Sequence, residues 1–368
     1  MTIEKALPES APGPGRILIF VHDFRASGVV RNTLALAARL AEEHEVTLVA
    51  RHDEGLLAGD ARHGAFNVSS LSAGGLGLWA AAIRLRRLVQ RVRPDVLLST
   101  GNRGHWVARL ALIGLRRPLL LLRLSNSMDV GRKDFGLRSL SARLLAARAD
   151  KLFIVGAATG ASPALAEQIA SGRAQAIPNG VDRERANRLA TAPPPPNYPG
   201  TDRPIVLSIG RLAPQKDFPT LVRAAAIASA KVPLRLVIVG KGDEQAQREL
   251  RAVAAAAGLD EEVFRLGGET DNVFAWLSRA AVFVLPSRWE GSSVALLEAL
   301  AINVPVVATR QAGDARDVLD NGRYGLLVEA GDSRSRSSVS VRVAGPPAAG
   351  NDTNSPPAHA TWSWSLSF

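Results

Sequence analysis

Residues 282–309 read VFVLPSRWEGSSVALLEALAINVPVVAT, and this stretch limits the possible folds more than any other part of the chain. The apolar run Val282 to Leu285, stopped by Pro286, predicts a buried parallel strand, because a strand covered on both faces reads as continuous apolar sequence. A tight loop follows over Ser287 to Gly291. Ser292 or Ser293 can then cap a helix carrying Leu296, Leu297, Ala299 and Leu300, and a second apolar strand runs from Val304 to Ala308 after a break at Asn303. Strand, loop, helix, strand is the repeating unit of an open α/β sheet.

Two carboxylates lie in this unit. Glu290 sits in the loop and Glu298 in the helix eight positions on, so they are separated by roughly 12 Å along the axis. An extended sugar diphosphate with its ribose has about that reach. The backbone N–H groups of Gly291, Ser292 and Ser293 open the helix, and such an end attracts phosphate. One carboxylate could read sugar hydroxyls and the other ribose hydroxyls, with the diphosphate between them. Spacing alone favours the plainer alternative, a solvated helix residue and an unrelated loop charge.

The rest of the chain extends the α/β reading. Its 368 residues suffice for two domains with their own cores. Arg16 to His22 predicts a first strand, followed by the loop DFRASGVVR and an amphipathic helix from Asn32 to Glu43. The turn lacks a full G-x-G-x-x-G, so a nicotinamide-dinucleotide fingerprint is not supported. Further strands are expected over Glu45 to Ala50, Asp95 to Thr100, Pro118 to Leu124 and Asp150 to Gly156, with a helix from His105 to Leu115. The run TAPPPPNYPGTDRP, residues 191–204, is too proline-rich for a helix or a central strand and predicts a linker. The second domain opens with the strand Ile205 to Gly210. Arg211 and Lys216 flank the loop behind it, beside a helix starting near Phe218, where two cations can neutralise a diphosphate leaving group. A solvated loop with two positive charges is the alternative.

The run WEGSSVALLEALA followed by VPVVAT closely resembles the E-x7-E signature of the group 1 (GT4-like) retaining glycosyltransferases, a nucleotide-sugar-dependent family with the GT-B fold. G-R-L-x-x-x-K, here Arg211 to Lys216, is similar to that family's phosphate-binding loop, and IPNGVD, Ile177 to Asp182, to the segment leading into its interdomain connection. The resemblance implies an α/β chain of two Rossmann-like domains facing a central cleft. It implies that Glu290 contacts the donor sugar, that Glu298 contacts the ribose, and that Arg211 and Lys216 hold the phosphates. Gly28 and Arg31 match the family's small-residue loop after the first strand, and Gly240 matches a turn where relatives contact the nucleotide. Together with Gly291, Ser292 and Ser293 these are the donor-binding candidates. Relatives commonly carry a His at the end of the strand before Asn126; Ser125 stands there instead, leaving Ser125, Asn126 and His105 as acceptor-side candidates. Asn303 replaces the usual Gly, a mild departure, since Asn tolerates the left-handed conformation of a helix exit.

The expected domains are a flexible 1–15, an acceptor-side domain 16–190, the linker 191–204, a nucleotide-sugar-binding domain 205–332 and an atypical tail 333–368. That tail is rich in Ser, Pro, Ala and Arg without helical period; it suggests a frameshifted or truncated frame and is expected to be disordered. If the family's closing helices are missing, the alternative to an enzyme is a non-catalytic nucleotide-sugar binder or an inactive remnant. The family also implies a UDP- or GDP-sugar donor and a glycan or lipid-linked acceptor, in polysaccharide or glycolipid synthesis. No Asp-x-Asp occurs, so no metal is expected, and no cofactor beyond the nucleotide-sugar co-substrate.

Charge adds a partner. Residues 1–200 hold 27 Lys and Arg against 16 Asp and Glu, an excess of 11, whereas residues 201–332 hold 15 against 17. A basic first domain suits an anionic membrane surface or a lipid diphosphate; an arginine-rich composition without a partner is the alternative, and nucleic acid is not expected. In LWAAAIRLRRLVQRVR, residues 78–93, Trp79, Ile83, Leu88, Val89 and Val92 can share one face and Arg84, Arg87 and Arg91 another. Such a helix either lies on an anionic bilayer or crosses over the sheet with a solvated basic face. With no cysteine, no signal-peptide core and no run long enough to span a bilayer, the expected location is cytoplasmic, with peripheral contact at the inner face of the plasma membrane as a further expectation.

Overall fold

A computed structural model describes residues 14–72, 74–125, 141, 144–156, 165–200 and 202–331. The tail from 332 onward, nearly all of the N-terminal 1–15 and Asn126 lie outside them. The chain divides into two compact units, residues 1–155 with 159–177 and residues 156–158 with 178–368.

The first unit is built on a seven-stranded parallel sheet in the order β3-β2-β1-β4-β5-β6-β7. Its strands are β1 (Arg16–Val21), β2 (Glu45–Ala50), β3 (Asn67–Ser70), β4 (Val96–Thr100), β5 (Leu119–Leu124), β6 (Lys151–Ile154) and β7 (Ala174–Ala176). The central strands are buried on both faces: Leu18, Phe20 and Leu97 pack on one side of the sheet and Ile19, Leu48 and Leu98 on the other. The chain moves outward from β1 to β3 and then returns to lay β4 against β1, with Phe20 opposite Ser99. That reversal opens a crevice at the carboxyl ends of β1 and β4, where ligands of open α/β sheets bind.

The helix Leu78–Val92 departs from expectation. Ala81, Ala82, Leu85 and Val89 form its buried face. Trp79 is 68% and Ile83 51% exposed, on the solvent side with Arg84, Arg87 and Arg91. Helical spacing had grouped Trp79 and Ile83 with Val89, but small Ala81 and Ala82 let the helix approach the sheet along a different stripe.

The second unit carries a six-stranded parallel sheet in the order β10-β9-β8-β11-β12-β13. These are β8 (Ile205–Ile209), β9 (Arg235–Val239), β10 (Phe264–Gly268), β11 (Val282–Leu285), β12 (Val306–Thr309) and β13 (Leu326–Val328). Every residue of β8, β9, β11 and β12 is buried, the pattern expected of strands covered by helices on both faces. The reversal here sets β11 beside β8, with Phe283 opposite Leu207. The expected break at Asn303 is present: its φ is 58°, the left-handed exit conformation, and Val304 N–H reaches back to the Ala299 carbonyl at 3.0 Å.

The division between units falls after Ile177, earlier than the expected 190. The helix Arg183–Ala190 buries Ala186 in the core of the second unit, and Asn272 and Ser278 donate to the Leu189 and Ala190 carbonyls at 2.9 and 3.0 Å. The proline-rich run does not hang free either. Tyr198 packs on Trp276, Asn197 donates to the Gly267 carbonyl at 2.7 Å, and buried Arg235 donates to the Pro199 carbonyl and to Asp202 at 2.7 and 2.8 Å. Proline content excludes helix and central strand, as read, but does not prevent a segment from packing.

Candidate nucleotide-sugar site

In the second unit the loop after β8 and the loop after β11 meet at the reversal of the sheet. Lys216 Nζ lies 2.5 Å from Glu290 Oε1, with side chains only 15% and 8% exposed. Gln215 donates to the other carboxylate oxygen at 3.0 Å and Ser287 to Oε1 at 2.8 Å. Ser287 is itself fully buried and its carbonyl accepts from the Thr309 hydroxyl at the end of β12. Glu290 is therefore held by three donors from two loops. A carboxylate and an ammonium so enclosed neutralise each other and stay ready to exchange partners with a charged ligand.

The loop after β8 is fixed from several sides. Gly210 and Leu212 N–H donate to the Val239 and Lys241 carbonyls at 2.9 and 2.8 Å. The lysine side chain lies over Gly210, where an added Cβ would meet Lys216 Cε at 2.7 Å and Nζ at 3.3 Å. Gly240 has φ of +148°, and a Cβ there would fall 2.0 Å from the Gly210 carbonyl oxygen, so only glycine lets the two turns approach this closely. Asp217 closes the loop at φ 49°, a left-handed conformation uncommon for a residue with a Cβ. It is 4% exposed and ion-paired with Arg288 at 2.9 Å, while the Arg288 N–H donates to the Gln215 carbonyl at 2.9 Å. These contacts join the two loops a second time. Arg211 is exposed, with no hydrogen bond or ion pair among the described residues.

The helix Val294–Ala301 follows Glu290. Ser293 holds its N-cap position but its hydroxyl accepts nothing from the helix; it is 3% exposed and its Oγ is unpartnered. The expected side-chain cap is absent, which leaves the first-turn N–H groups of the helix without a protein acceptor from that hydroxyl. Ser292 faces elsewhere: Asn179 of the IPNGVD segment donates to its hydroxyl at 3.0 Å, and the hydroxyl in turn bonds Asp314. Glu298 is 2% exposed, which overturns the alternative of a solvated helix residue.

Sequence reasoning missed several members of this site. Asp314 is 8% exposed; burial pushes its carboxyl above the usual range, against bonds from the Ser292 hydroxyl and the Ser293 backbone. Neighbouring Gly313, at φ +64°, passes so near the other loop that a Cβ would lie 2.8 Å from the Gly291 carbonyl oxygen. Gln215, Ser287 and Asp314 obey no periodicity that could have singled them out. Asp217 had a signal, a short acidic residue directly before the helix start Phe218-Pro219, a position that favours caps.

The remaining candidates lie in the first unit, so the structure gathers Arg211, Lys216, Gly240, Glu290, Gly291, Ser292, Ser293 and Glu298 in one unit and Gly28, Arg31, His105 and Ser125 in the other. Gly28 is the first residue of the helix Gly28–Leu40, capped by the Ser27 hydroxyl accepting from Val30 N–H at 3.3 Å; Arg31 is half-buried in its first turn. Ser125 directly follows β5, 9% exposed, its N–H donating to Asn102 at 3.4 Å.

His105 is a correction. It is completely buried, with Nδ1 2.9 Å from the Ser99 hydroxyl, and burial holds its pKa down at about 4. A ring enclosed in this way serves packing rather than an acceptor. Because the folded value lies below the ordinary 6.5, its contribution to stability is present above pH 6.5 and is lost as the pH falls toward 4. Between pH 7 and 5 the first unit is expected to lose about 2 kcal/mol through this group. Denaturant titration at the two pH values checks this, and the loss should shrink in His105→Gln.

Comparison with known proteins agrees with this architecture. A family model described as glycosyl transferases group 1 matches residues 203–339, and one described as glycosyltransferase family 4 matches residues 26–185. A 4-alpha-N-acetylgalactosaminyltransferase of Campylobacter jejuni, named for a diphospho-undecaprenol-linked acceptor, is 35% identical over 130 residues, 35% of this chain and 34% of that one. A GDP-mannose-dependent phosphatidylinositol monomannoside mannosyltransferase of Mycolicibacterium smegmatis is 35% identical over 167 residues, 42% and 43% of the two chains. The matches thus span less than half the length of these relatives. Among solved structures, Anabaena Alr3699/HepE in complex with UDP-glucose aligns with TM-score 0.69 at 18% identity, over 87% of this chain and 86% of that one. A glycosyltransferase of Rickettsia africae aligns with TM-score 0.66 at 16% identity, over 87% and 85%. At such identities the likeness is one of fold.

Proposed function

Because this chain belongs to the group 1, family 4 glycosyltransferases, we propose that it transfers a sugar from a nucleoside-diphosphate sugar to an acceptor hydroxyl, with retention at the anomeric carbon. The observation that carries this reading is the meeting of Lys216 and Glu290 at the reversal of the second sheet. In the reaction the bond from the anomeric carbon to the diphosphate oxygen breaks, a bond to the acceptor oxygen forms, and the acceptor proton leaves with the diphosphate. Negative charge grows on the departing oxygen. Lys216 and Arg211 supply cations there, and the start of the helix Val294–Ala301 supplies N–H donors. Glu290, once Lys216 turns to the phosphates, is free to accept hydrogen bonds from sugar hydroxyls, and buried Glu298 to accept from the ribose.

Relatives using GDP-mannose and a neighbour bound to UDP-glucose favour a UDP- or GDP-sugar without choosing between them, and no resident cofactor is needed. A screen of UDP-, GDP- and ADP-sugars, read as released nucleotide in the presence of lipid-linked and glycan acceptors, tests the assignment. Release from one nucleotide class is expected; binding without release from any donor would favour a non-catalytic binder.

The relatives' acceptors, undecaprenol-linked and phosphatidylinositol-linked glycans, support a role in cell-envelope polysaccharide or glycolipid synthesis and a protein that visits a membrane surface. Among the described residues no helix is long and apolar enough to cross a membrane. The helix Leu78–Val92 suits contact from one side: Trp79, Ile83 and Leu78 are exposed beside Arg87 and Arg91, an arrangement that places apolar groups among lipid tails and cations among anionic headgroups. Replacing Trp79 and Ile83 together by Ser is expected to weaken binding to vesicles containing phosphatidylglycerol by about tenfold or more, measured by co-sedimentation, with melting unchanged.

A further inference from the structure

The first sheet reverses its strand order at β1 and β4, and basic residues stand at the carboxyl edge there. His22 follows β1, His52 follows β2 and Arg103 lies in the turn after β4. The backbone sets the first two together: His52 N–H donates to the His22 carbonyl at 3.1 Å, and the rings meet edge to face with centroids 5.2 Å apart. His52 Nδ1 donates to the Gly74 carbonyl at 3.0 Å, which leaves Nε2 as its outward atom. His22 Nδ1 is shut off from solvent without a partner, so Nε2 is again the atom able to meet a ligand. Arg103 is exposed and makes no hydrogen bond or ion pair among the described residues.

The carboxylates nearby are already taken. Asp23 pairs with Arg25 at 3.4 Å, Glu54 with Arg25 at 2.9 Å and Asp53 with Arg62 at 2.6 Å. Arg51, whose guanidinium is held by the Leu76 carbonyl, adds a further positive charge. Among the described residues the edge therefore presents one free guanidinium and two imidazoles, with the neighbouring carboxylates Asp23, Glu54 and Asp53 already ion-paired. Burial, with Arg103, His52 and Arg51 adding to it and Asp23 opposing, keeps the His22 ring below its ordinary pKa. An anion arriving between these groups would favour the protonated His22 ring, whose Nε2 then donates to it.

We propose that His22, His52 and Arg103 form a site for a phosphate group, and that the acceptor of this protein is a phosphorylated compound anchored there by its phosphate. The anion site stands on the geometry alone; its description as an acceptor site rests on the transferase reading above. Two sources offer the same chemistry, a water-soluble phosphate ester and the phosphate headgroup of a lipid.

The test uses the full chain with isotope-labelled histidine, following the imidazole resonances during titration with sulfate, which stays a dianion from pH 5 to 8. Saturable shifts of the His22 and His52 resonances are expected, with affinity rising as the pH falls and the His22 ring takes up a proton. Arg103→Gln, a change at an exposed side chain, is expected to weaken binding about tenfold without altering the fold. Glucose 1-phosphate and dihexanoyl phosphatidic acid below its micellar concentration separate the sources: tighter binding of either than of sulfate supports the proposal and says which. Rings that fail to respond to sulfate and to both esters, or responses untouched by Arg103→Gln, overturn it. UDP titrated into the same samples keeps the two readings apart. Retained UDP binding with silent rings sinks only this site, whereas responsive rings in a protein that binds no nucleotide sink the transferase reading.

Discussion

Lys216→Ala is expected to lower kcat/KM for sugar transfer by about 10²- to 10³-fold, the usual consequence of removing one preorganised charge from a developing oxyanion. The loss should fall mainly on kcat, since the ammonium's interaction with the diphosphate strengthens as the bond to the sugar breaks. Stability should change little by comparison. Glu290 would retain the Ser287 hydroxyl and the Gln215 amide, so the carboxylate is not left bare, and a fall of about 1 kcal/mol is expected. Steady-state kinetics with the donor found in the screen, alongside thermal melting, checks both parts. A variant that melted normally and turned over normally would remove Lys216 from the reaction.

Gly240→Ala reaches the same chemistry through the backbone. A side chain at φ +148° is strained, and the added Cβ would lie 2.0 Å from the Gly210 carbonyl oxygen, a distance only movement of one turn can relieve. Strain of this kind costs about 3 kcal/mol, which corresponds to a fall of roughly 6–12 °C in the melting of the second unit. Gly210 underlies Lys216, so displacement of its turn moves the amine away from Glu290. Activity is therefore expected to fall at least as far as in Lys216→Ala, while the first unit, which shares no core with these turns, melts unchanged. Calorimetry that resolves the two units, combined with the transfer assay, checks the prediction. An unaltered melting profile would mean that the turns are not packed as described.

The second unit was more legible in the sequence than the first, for a physical reason. Its strands are doubly buried, so apolar runs such as VFVL and PVVAT mark strand positions directly, and Asn303 marks the exit from the helix between them. Lys216 and Glu290 could be singled out as site residues because each sits in a loop bounded by such a strand, whereas their ion pair with each other was not legible. Gln215, Ser287 and Asp314 could not, because they act through contacts between loops 22 to 75 residues apart, and nothing local distinguishes them from ordinary loop residues.

In the first unit, helical periodicity correctly gave an amphipathic helix at 78–92 but misassigned Trp79 and Ile83, whose side depends on how closely Ala81 and Ala82 approach the sheet. His105 was placed on the correct element, at the helix start after β4, yet its depth could not be read from spacing. The boundary at 177 was hidden for a similar reason. Residues 183–190 are polar enough to read as a surface helix of either unit, and only the docking of Ala186 and the bonds from Asn272 and Ser278 assign them to the second.

The central claim, that the second unit grips a nucleotide sugar between the loops after β8 and β11, is tested most directly by a crystal structure of the full chain with UDP or GDP. The diphosphate is expected against Lys216, Arg211 and the first turn of the helix Val294–Ala301, with the ribose hydroxyls at Glu298 and the Lys216–Glu290 pair opened. A nucleotide bound away from those loops, or bound there with Lys216 and Glu290 still paired and Glu298 untouched, would contradict the account.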